Sequence, residues 1–535
     1  MPTLDWTGKQ NAVELAKKVP YRLLDFDSAL SCGEKNSGNL IVQGDNLDAL
    51  KSLLPYYRQS VKCIYIDPPY NTGSAFEHYD DNLEHSTWLS MMYPRLELLQ
   101  QFLSDDGFFC CEIDDSEGQY LKVLCDEIFG RQNYLTTIYV QVRYPNKTLK
   151  EDMNFHKEIE QIHVYRNSPL ATPKLNTSDS GFEKFVYEIE ETEKPLTTFK
   201  LGGKKVEVFI KGQYKIRKNI GSKYGLKEIW ATGTILDGNS SGRFFRDFLM
   251  GRYLDDGYGI LYKVYGIGDD MFDYRYFTGP QRVGATKGKY YQGVPKDNFE
   301  SEKTSRTLPI ENFYDFAANF GNCRHEGGVD FRSGKKPEIL IKIILERFSN
   351  EGDLVMDSFL GSGTTAAVAH KMNRRYIGIE MGEQAISHIV PRLQNVIEGE
   401  QSGISKSVDW QGGGGFDFYR VGEKIFEDSG RINPAVKFEQ LAAYIWFKTT
   451  GTPYTEQKNS PLLGVHEGTA IYLLYNGILG DKRPDGGNVL TKKILALLPP
   501  HDGDKIIFGE SCRISAENLK LRGIIFKQTP KDILQ

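Results

Sequence analysis

The sequence predicts an α/β fold in which a parallel β-sheet is covered by helices on both faces. Two stretches of the 535-residue chain alternate apolar runs with amphipathic helical runs, at 38–130 and at 335–380. The first contains GNLIVQGDNLDALKSLLPYYRQSVKCIYI at 38–66 and the second contains GDLVMDSFLGSGTTAAVAHKM at 352–372. Because strands that alternate with helices are joined by crossovers, they pair in parallel.

The elements of the first stretch follow from hydrophobic periodicity. A strand ends near Asp45, a helix has its apolar face at Leu47, Leu50 and Leu54, and a second strand runs from Cys63 to Ile66. A longer helix follows, with apolar positions at Leu89, Met92, Leu96, Leu99 and Leu103. A turn at Asp106 and Gly107, a strand and a helix ending on Gly130 complete the stretch. This region is predicted to form repeated β-α units.

The pattern changes near residue 140. From there to about 330 the chain has short strand-like runs, many Gly, Tyr and Lys residues and little helical periodicity. We therefore predict a β-rich domain inserted into one α/β domain. The expected segments are 1–140 and 331–405 for the two parts of the α/β domain, 141–330 for the insertion and 406–535 for a C-terminal domain.

The charge is unevenly distributed along the chain. The formal net charge is −5, with 66 Lys and Arg against 71 Asp and Glu. Residues 196–306 hold 20 basic and 12 acidic residues, a local charge of +8, and 253–277 is rich in Tyr and Phe. Interleaved basic and aromatic residues are typical of nucleic-acid binding, although a small β-domain with a solvated basic face has the same composition.

Several classes of protein are excluded. No apolar run approaches the roughly 20 residues of a membrane span, and the first twenty residues lack the apolar centre of a signal peptide. The seven cysteines form no C-x-x-C pair, so neither a disulfide framework nor a structural zinc site is expected. We expect a cytoplasmic protein without a membrane partner or a metal ion.

The run DPPY at 67–70 follows directly after a buried strand. Pro68 and Pro69 fix the backbone angle φ and exclude Asp67 from the helical region, so the strand must end in a rigid extended loop. Such a loop holds the Asp67 carboxylate, the Pro68 carbonyl and the Tyr70 ring at the carboxyl end of a strand, where open α/β sheets bind ligands. An ordinary proline-rich turn is the alternative.

A second motif, DSFLGSGTT, begins at Asp357 and enters a helix at Thr364. Gly361 and Gly363 allow the backbone to approach a ligand closely, and the helix N-terminus offers unpaired N–H groups. Glu380 follows Asp357 by 23 residues, near the spacing at which an acidic residue binds ribose hydroxyls. A dinucleotide-binding fold has a similar glycine pattern, but the presence of two strand-end motifs favours group transfer from a nucleoside cofactor.

The two motifs together resemble the amino-group DNA methyltransferases in which D-P-P-Y precedes F-x-G-x-G, with the target-recognition domain between them. The matching runs are DPPYN at 67–71, FLGSG at 359–363 and the Lys-Pro motif SGKKP at 333–337. TGPQRVGATKGKYYQGVP at 278–295 and DWQGGGGFDFYRVG at 409–422 resemble the modification subunits of type III restriction-modification systems. The resemblance implies a Rossmann-like methyltransferase domain and an inserted target-recognition domain.

The resemblance also implies roles for individual residues. S-adenosylmethionine would be bound by Asp45, Asp357, Phe359, Gly361, Gly363, Thr364 and Glu380. Asp67, Pro68 and Tyr70 would hold the target base. Arg282, Lys287 and Lys289 are predicted to lie in a glycine-rich loop between aromatic clusters and are expected to contact DNA. The expected partners are double-stranded DNA, a second copy of the chain and a helicase-nuclease restriction subunit.

The predicted reaction is methylation of the exocyclic N6 amine of a flipped adenine. Three alternatives stay open at this point. Cytosine N4 methylation usually has Ser in place of Asp67, and the release-factor glutamine methyltransferases have Asn there and carry the cofactor motif first. A DNA-specificity subunit without activity is the third alternative, and the intact motifs argue against it.

Overall fold

The fold is described from a computed structural model, which covers residues 3–72, 83–145, 155–231, 240–299, 304–331, 334–455, 460–478 and 481–533. The chain divides into two compact units, one formed by Met1–Lys174 with Glu311–Gln535 and the other by Leu175–Ile310. Within the described ranges, no helix combines the length and the apolar character that crossing a membrane requires.

The first part of the larger unit contains seven strands and four α-helices in its described ranges. The strands are β1 (Arg22–Phe26), β2 (Cys32–Gly33), β3 (Leu40–Gln43), β4 (Val61–Ile66), β5 (Leu103–Ile113), β6 (Tyr134–Gln141) and β7 (Ile159–Arg166). The helices are α1 (Lys9–Lys18), α2 (Asn46–Tyr57), α3 (His85–Phe102) and α4 (Gly118–Cys125). The predicted β-α repeats are therefore present.

The smaller unit is mostly β-structure. Its strands are β8 (Asn176–Ser180), β9 (Tyr187–Glu191), β10 (Thr197–Leu201), β11 (Lys204–Phe209), β12 (Tyr214–Lys218), β13 (Lys227–Trp230), β14 (Leu261–Tyr265), β15 (Tyr274–Thr278), β16 (Lys289–Gln292) and β17 (Thr304–Leu308). Its helices are α5 (Ser240–Phe244), α6 (Tyr253–Asp256) and α7 (Lys296–Phe299). Antiparallel pairing gives a sheet in the order β10-β11-β14-β15-β16-β13.

The chain then returns to the larger unit. The strands are β18 (Phe313–Asp315), β19 (Leu354–Asp357), β20 (Arg375–Glu380), β21 (Gly415–Lys424), β22 (Leu462–His466), β23 (Thr469–Leu473), β24 (Val489–Leu490), β25 (Lys505–Gly509), β26 (Ser511–Cys512) and β27 (Ile524–Gln528). The helices are α8 (Ala317–Asn322), α9 (Glu338–Phe348), α10 (Thr364–Lys371), α11 (Val390–Ile397), α12 (Phe438–Thr450), α13 (Lys492–Leu497) and α14 (Ala516–Leu521).

The central sheet combines both parts of the larger unit. Its order is β1-β21-β3-β20-β19-β4-β5-β7-β6-β18, with β2 paired to β21. The six strands from β21 to β5 pair in parallel, whereas β7 is antiparallel to both β5 and β6. The predicted α/β class and the parallel sheet are confirmed.

Alternate residues of the central strands pack into two hydrophobic cores. Val42, Ile64 and Met356 pack with the apolar faces of α2 and α3, whereas Ile41 and Val355 pack with α9, α10 and α11. Because strand side chains alternate between the two faces of a sheet, this division places helices on both faces. The strands are therefore covered on both sides and fixed in register.

The structure differs from the predicted segment boundaries. The predicted insertion at 141–330 includes β7, but β7 pairs with β5 and β6 in the central sheet. The compact smaller unit is accordingly Leu175–Ile310. The predicted C-terminal domain at 406–535 includes β21, which lies between β1 and β3. Both differences arise because sheet pairing joins residues that are distant in sequence.

Three aromatic residues in the Tyr- and Phe-rich segment of the smaller unit are buried. Tyr262, Tyr276 and Phe277 are at most 5% exposed and lie in its hydrophobic cores. Burying these rings contributes stability to a small β-sheet. Packing within a small β-domain therefore accounts for these three rings without a role in DNA binding. Tyr258, by contrast, is exposed.

Candidate active site

The predicted site residues lie at one edge of the central sheet. The neighbouring strands β3, β20, β19 and β4 are parallel, so their carboxyl ends reach the same edge. Glu380 and Asp357 are the last residues of β20 and β19, Asp67 follows β4 directly, and Asp45 follows β3 after one glycine. The fold therefore brings together residues that are far apart in the chain.

The loop after β4 presents a backbone acceptor. The indole Nε1 of Trp88 donates a hydrogen bond of 2.8 Å to the Pro69 carbonyl oxygen. Among the described residues, no donor is recorded for the carbonyl oxygen of Pro68. The two consecutive carbonyls thus differ: the Pro69 carbonyl fixes the loop, whereas the Pro68 carbonyl accepts no hydrogen bond from the described residues.

Asn71 fixes the end of this loop. Its backbone is in the left-handed region, with φ of 60°, which Asn tolerates better than most residues. Its side-chain Nδ2 donates to Glu117 Oε1 at 2.7 Å, and its Oδ1 accepts from the backbone N–H of Leu83 at 2.8 Å. These bonds hold the loop against the residues just before α3 and just before α4.

A buried lysine faces the Asp67 carboxylate. The ammonium of Lys336 lies 3.3 Å from Asp67 Oδ1, 3.3 Å from Glu112 Oε1 and 2.7 Å from Glu160 Oε2. It also donates to the Tyr70 hydroxyl at 2.5 Å, and it lies 4.8 Å from the centroid of that ring. Asp67 Oδ1 is buried and forms no hydrogen bond with the residues described.

Burial shifts the protonation of this cluster. It raises the pKa of Asp67, and the positive charge of Lys336 opposes that rise. It also raises the pKa of Glu112 well above its usual value, again against Lys336. For Glu160, burial raises the pKa, but Lys336 and hydrogen bonds lower it to below the usual value. The cluster therefore depends on one cation for its balance of charge.

The glycine-rich loop after β19 is held by Asp357. Its Oδ1 accepts from the N–H of Phe359 at 2.9 Å, and its Oδ2 accepts from the Thr365 hydroxyl at 2.6 Å. Burial raises the pKa of Asp357 to about 7, although these two hydrogen bonds lower it. Gly361 and Gly363 have φ of 56° and 81°, conformations that side chains disfavour.

Glu380 connects the glycine-rich loop to the strand beside it. Its Oε2 accepts from the Gly361 N–H at 2.7 Å, and its Oε1 accepts from Gly382 N and Gln384 Nε2 at 3.0 and 2.8 Å. Burial raises the pKa of this carboxyl group, and these backbone hydrogen bonds lower it. Because each carboxylate oxygen has two lone pairs, Oε2 retains the capacity to accept a ligand hydroxyl.

Asp45 begins α2. Its Oδ1 accepts from the N–H of Leu47 at 2.8 Å, an N-cap that satisfies one free donor of the helix. Its carboxylate also pairs with Arg95, at 3.0 Å between Oδ2 and Nη2, and its side chain is 42% exposed. Asp45 is therefore positioned at the edge of the sheet with part of its carboxylate accessible.

The residues at this edge fit the cofactor that the resemblance implies. Positions 361 and 363 adopt left-handed conformations that favour glycine, and an added Cβ at 363 would lie 3.3 Å from Ile389 Cγ1. The carboxylate of Glu380 can accept hydrogen bonds from hydroxyl groups, and the carboxylate of Asp45, which is partly exposed, can do the same. Carboxylates of this kind suit the ribose hydroxyls and cationic groups of S-adenosylmethionine.

The structure separates the three basic residues that the sequence grouped. Arg282 and Lys287 are exposed in the loop between β15 and β16. Lys289 is instead the first residue of β16, and its ammonium lies 2.6 Å from Glu228 Oε1 and 4.7 Å from the centroid of the Trp230 ring. The prediction that Lys289 lies in the loop is wrong, because strand pairing begins at this residue.

Sequence reasoning did not identify Lys336, Glu112 or Glu160 as site residues. SGKKP was recognised only as a motif, and Glu112 follows an apolar strand run in GFFCCEID. A charged residue within an otherwise buried strand is the signal that could have identified Glu112. Glu160 lies on β7, which the sequence assigned to the insertion.

Comparison with known proteins identifies the family. The family model described as DNA methylase matches residues 61–391, a range that contains both strand-end motifs. The probable type III restriction-modification enzyme HindVI Mod subunit of Haemophilus influenzae is 34% identical over 76% of this chain and 55% of its own length. The type III restriction-modification enzyme EcoPI Mod subunit of Escherichia phage P1 is 27% identical over 70% of this chain and 62% of its own.

A third relative has a more similar length. The type II methyltransferase M.EcaI of Enterobacter cloacae is 27% identical over 73% of this chain and 77% of its own. By contrast, this chain spans less than two thirds of the two Mod subunits it matches. The family match covers more than half of the chain and both loops of the site. On this evidence the chain belongs to the DNA methylase family.

Proposed function

We propose that the protein transfers a methyl group from S-adenosylmethionine to the exocyclic N6 amine of an adenine in double-stranded DNA. The observation that carries the proposal is the pair of acceptors after β4. Asp67 Oδ1 is buried and has the Lys336 ammonium 3.3 Å away as an ion pair, but it accepts no well-aligned hydrogen bond from the described residues. Nor does the Pro68 carbonyl accept one from them. Two acceptors on consecutive residues of one rigid loop suit the two N–H bonds of an amine.

Hydrogen bonding by these acceptors would activate the amine. The lone pair of an adenine amine is delocalised into the ring, which makes the amine a poor nucleophile. Hydrogen bonds to Asp67 and to the Pro68 carbonyl would favour a pyramidal nitrogen and stabilise the positive charge that develops on it. Tyr70 would stack on the base outside the duplex, offsetting an unstacking cost of a few kcal/mol.

The other loop would hold the cofactor. S-adenosylmethionine supplies an electrophilic methyl group on a sulfonium. Glu380 would accept hydrogen bonds from the ribose, and Asp45 would lie near the adenine ring. Gly361 and Gly363 would allow close approach of the backbone, Phe359 would contribute an apolar face, and Asp357 and Thr364 would fix the loop and the start of α10. These assignments rest on the motif resemblance and on the contacts described above.

Two rival functions are separated by specific features. Cytosine N4 methylation is disfavoured because Asp67 stands where the resembling N4 enzymes usually have Ser. A specificity subunit without activity would have no need for a rigid pair of acceptors beside a cofactor loop. The adenine-methylating function is therefore the one that the site supports best.

We also propose the biological setting. The two relatives described above that are named Mod subunits belong to type III restriction-modification enzymes. By analogy, this chain would act in the cytoplasm as a modification subunit, as a homodimer and with a helicase-nuclease partner. The unit Leu175–Ile310 would carry target recognition, with Arg282, Lys287 and Lys289 contacting DNA.

The function is tested on DNA from cells that express the protein. Sequencing that reports both the modified base and its context should find N6-methyladenine at one short motif, and none in cells that express the Asp67→Ala variant. Methylation at cytosine N4 would contradict the adenine assignment. The absence of any modified base, with the protein folded and expressed, would contradict methyl transfer altogether.

The roles of the two loops are separable by substitution. Asp67→Ala should lower the methylation rate by about 10²- to 10⁴-fold, because it removes an acceptor for the amine, and should leave cofactor affinity unchanged. Gly361→Val should abolish cofactor binding, because its side chain would force the backbone out of the left-handed region and block a close approach. Calorimetry with S-adenosylmethionine measures both affinities.

Gly468→Val is the matched control for backbone strain. Gly468 has φ of 79°, and an added Cβ there meets no atom within 4 Å. We expect this variant to bind S-adenosylmethionine like the parent. If Asp67→Ala lost the cofactor while retaining partial turnover, the assignment of the two loops would be wrong.

The proposed DNA contacts of the loop between β15 and β16, and of the first residue of β16, are tested by replacing Arg282, Lys287 and Lys289 with Ala together. We expect weaker binding to target DNA and a lower salt dependence, because fewer phosphate counterions would be released. Cofactor affinity should stay unchanged. Titration against target and random duplexes at two salt concentrations measures the effect.

The control variant replaces Lys17, Lys35 and Lys406, three exposed lysines of the larger unit, with Ala. It removes the same number of positive charges but should bind DNA much as the parent does. Equal affinity of the parent and of the variant lacking Arg282, Lys287 and Lys289 for both duplexes would exclude these three residues from the DNA interface.

A further inference from the structure

Lys336 connects the two loops of the candidate site. Its backbone carbonyl accepts a hydrogen bond of 3.2 Å from the hydroxyl of Thr364, the first residue of α10 after the glycine-rich loop. Its ammonium donates to the hydroxyl of Tyr70 in the other loop. One residue thus contacts both the helix that follows the proposed cofactor loop and the loop proposed to hold the base.

The ammonium of Lys336 lies among acidic groups from several elements. Glu160 on β7 and Glu112 on β5 face it from the sheet, and Asp67 faces it from the end of β4. Tyr65 on β4 donates a hydrogen bond to Glu112. Asp357, Cys111 and the Tyr70 hydroxyl are further titratable groups that interact with Asp67. Lys336 is the cation that faces this cluster within the described part of the chain.

The hydrogen-bond geometry of Lys336 leaves Asp67 available. The two hydrogen bonds recorded for its ammonium go to Tyr70 and Glu160. It lies 3.3 Å from Asp67 Oδ1, a longer contact than its 2.7 Å contact with Glu160 Oε2. The positive charge therefore acts on Asp67, while Oδ1 retains the capacity to accept an amine hydrogen.

Lys335, its neighbour in the chain, has a different environment. The ammonium of Lys335 donates to the backbone carbonyls of Arg324, Glu326 and Val329, at 3.1, 2.6 and 3.0 Å. These bonds tie together the segment that precedes α9. Of the two adjacent buried lysines, Lys336 is thus the one that faces the carboxylates of the site.

We propose, building on the proposed function, that Lys336 is a positioning residue that keeps Asp67 ionised and directed towards the target amine. Glu160 and Glu112 hold the ammonium in place. An ionised Asp67 accepts hydrogen bonds through both oxygens, whereas a protonated one carries a hydrogen on one of them and competes for acceptors. Lys336 would touch neither the base nor the cofactor and would act through Asp67.

The Lys336→Met variant tests this role. Removing the cation leaves burial and Glu160 to raise the pKa of Asp67, so the acidic limb of the pH-rate profile should move to higher pH. At neutral pH we expect a loss in kcat of roughly 100-fold, and the deficit should shrink as the pH rises. The affinity for S-adenosylmethionine, measured by calorimetry, should stay unchanged. The assay follows transfer of a labelled methyl group to DNA from a host that lacks the protein.

The Glu160→Gln variant should shift the acidic limb of the pH-rate profile in the opposite direction. Glu160 raises the pKa of Asp67, so its neutralisation should move the acidic limb to lower pH. Lys336→Arg keeps the charge and should restore a profile close to that of the parent. Lys335→Met is the matched control, because it also removes a buried lysine. It should lower the thermal stability and leave the position of the acidic limb unchanged.

The outcomes distinguish the inference from the proposed function. Suppose that the parent is active and that Lys336→Met and Glu160→Gln lower the rate without moving the acidic limb of the pH-rate profile. This result would contradict the inference alone and would indicate a structural role for Lys336. Loss of cofactor affinity in folded Lys336→Met would contradict it as well. A parent that methylates no DNA would contradict the proposed function, and the inference would fall with it.

Discussion

The parallel pairing of β4 with β19 is the constraint on which the candidate site depends. Val355 and Met356 of β19 pair with Cys63 and Ile64 of β4, so the loops that begin after these strands leave the same edge of the sheet. One loop holds two acceptors, Asp67 Oδ1 and the Pro68 carbonyl, that take no hydrogen bond from the residues the structure describes, and the other loop contains two left-handed glycines. Because the strands are buried on both faces, their register is fixed, and the relative position of the loops is fixed with it.

Burying several carboxylates at one place has a large energetic cost unless a cation accompanies them. The described structure meets this requirement with Lys336, which faces Asp67, Glu112 and Glu160. Tyr65 supplies a further hydrogen bond to Glu112, whose side chain is fully buried. The acidic groups that shape the proposed base-binding loop are thus stabilised by the same residue that touches the helix after the glycine-rich loop.

Local patterns were sufficient to predict the strand-end motifs, because proline, glycine and apolar periodicity act within a few residues. They predicted the loops at Asp67 and at Gly361, and the α/β class. Long-range pairing was not predictable in this way: β7 and β21 join the central sheet from segments assigned elsewhere. For the same reason the cluster around Lys336 was missed, since its members, at positions 67, 112, 160 and 336, come from four separate elements of the chain.

The most direct test of the account is a structure of the protein with a duplex containing its target and with S-adenosylhomocysteine. The account predicts an adenine outside the duplex, with its amine nitrogen about 2.7 to 3.2 Å from both Asp67 Oδ1 and the Pro68 carbonyl oxygen, and with Tyr70 stacked on the ring. An adenine that remains paired in the duplex, or an amine bound by other groups while Asp67 faces only Lys336, would contradict it.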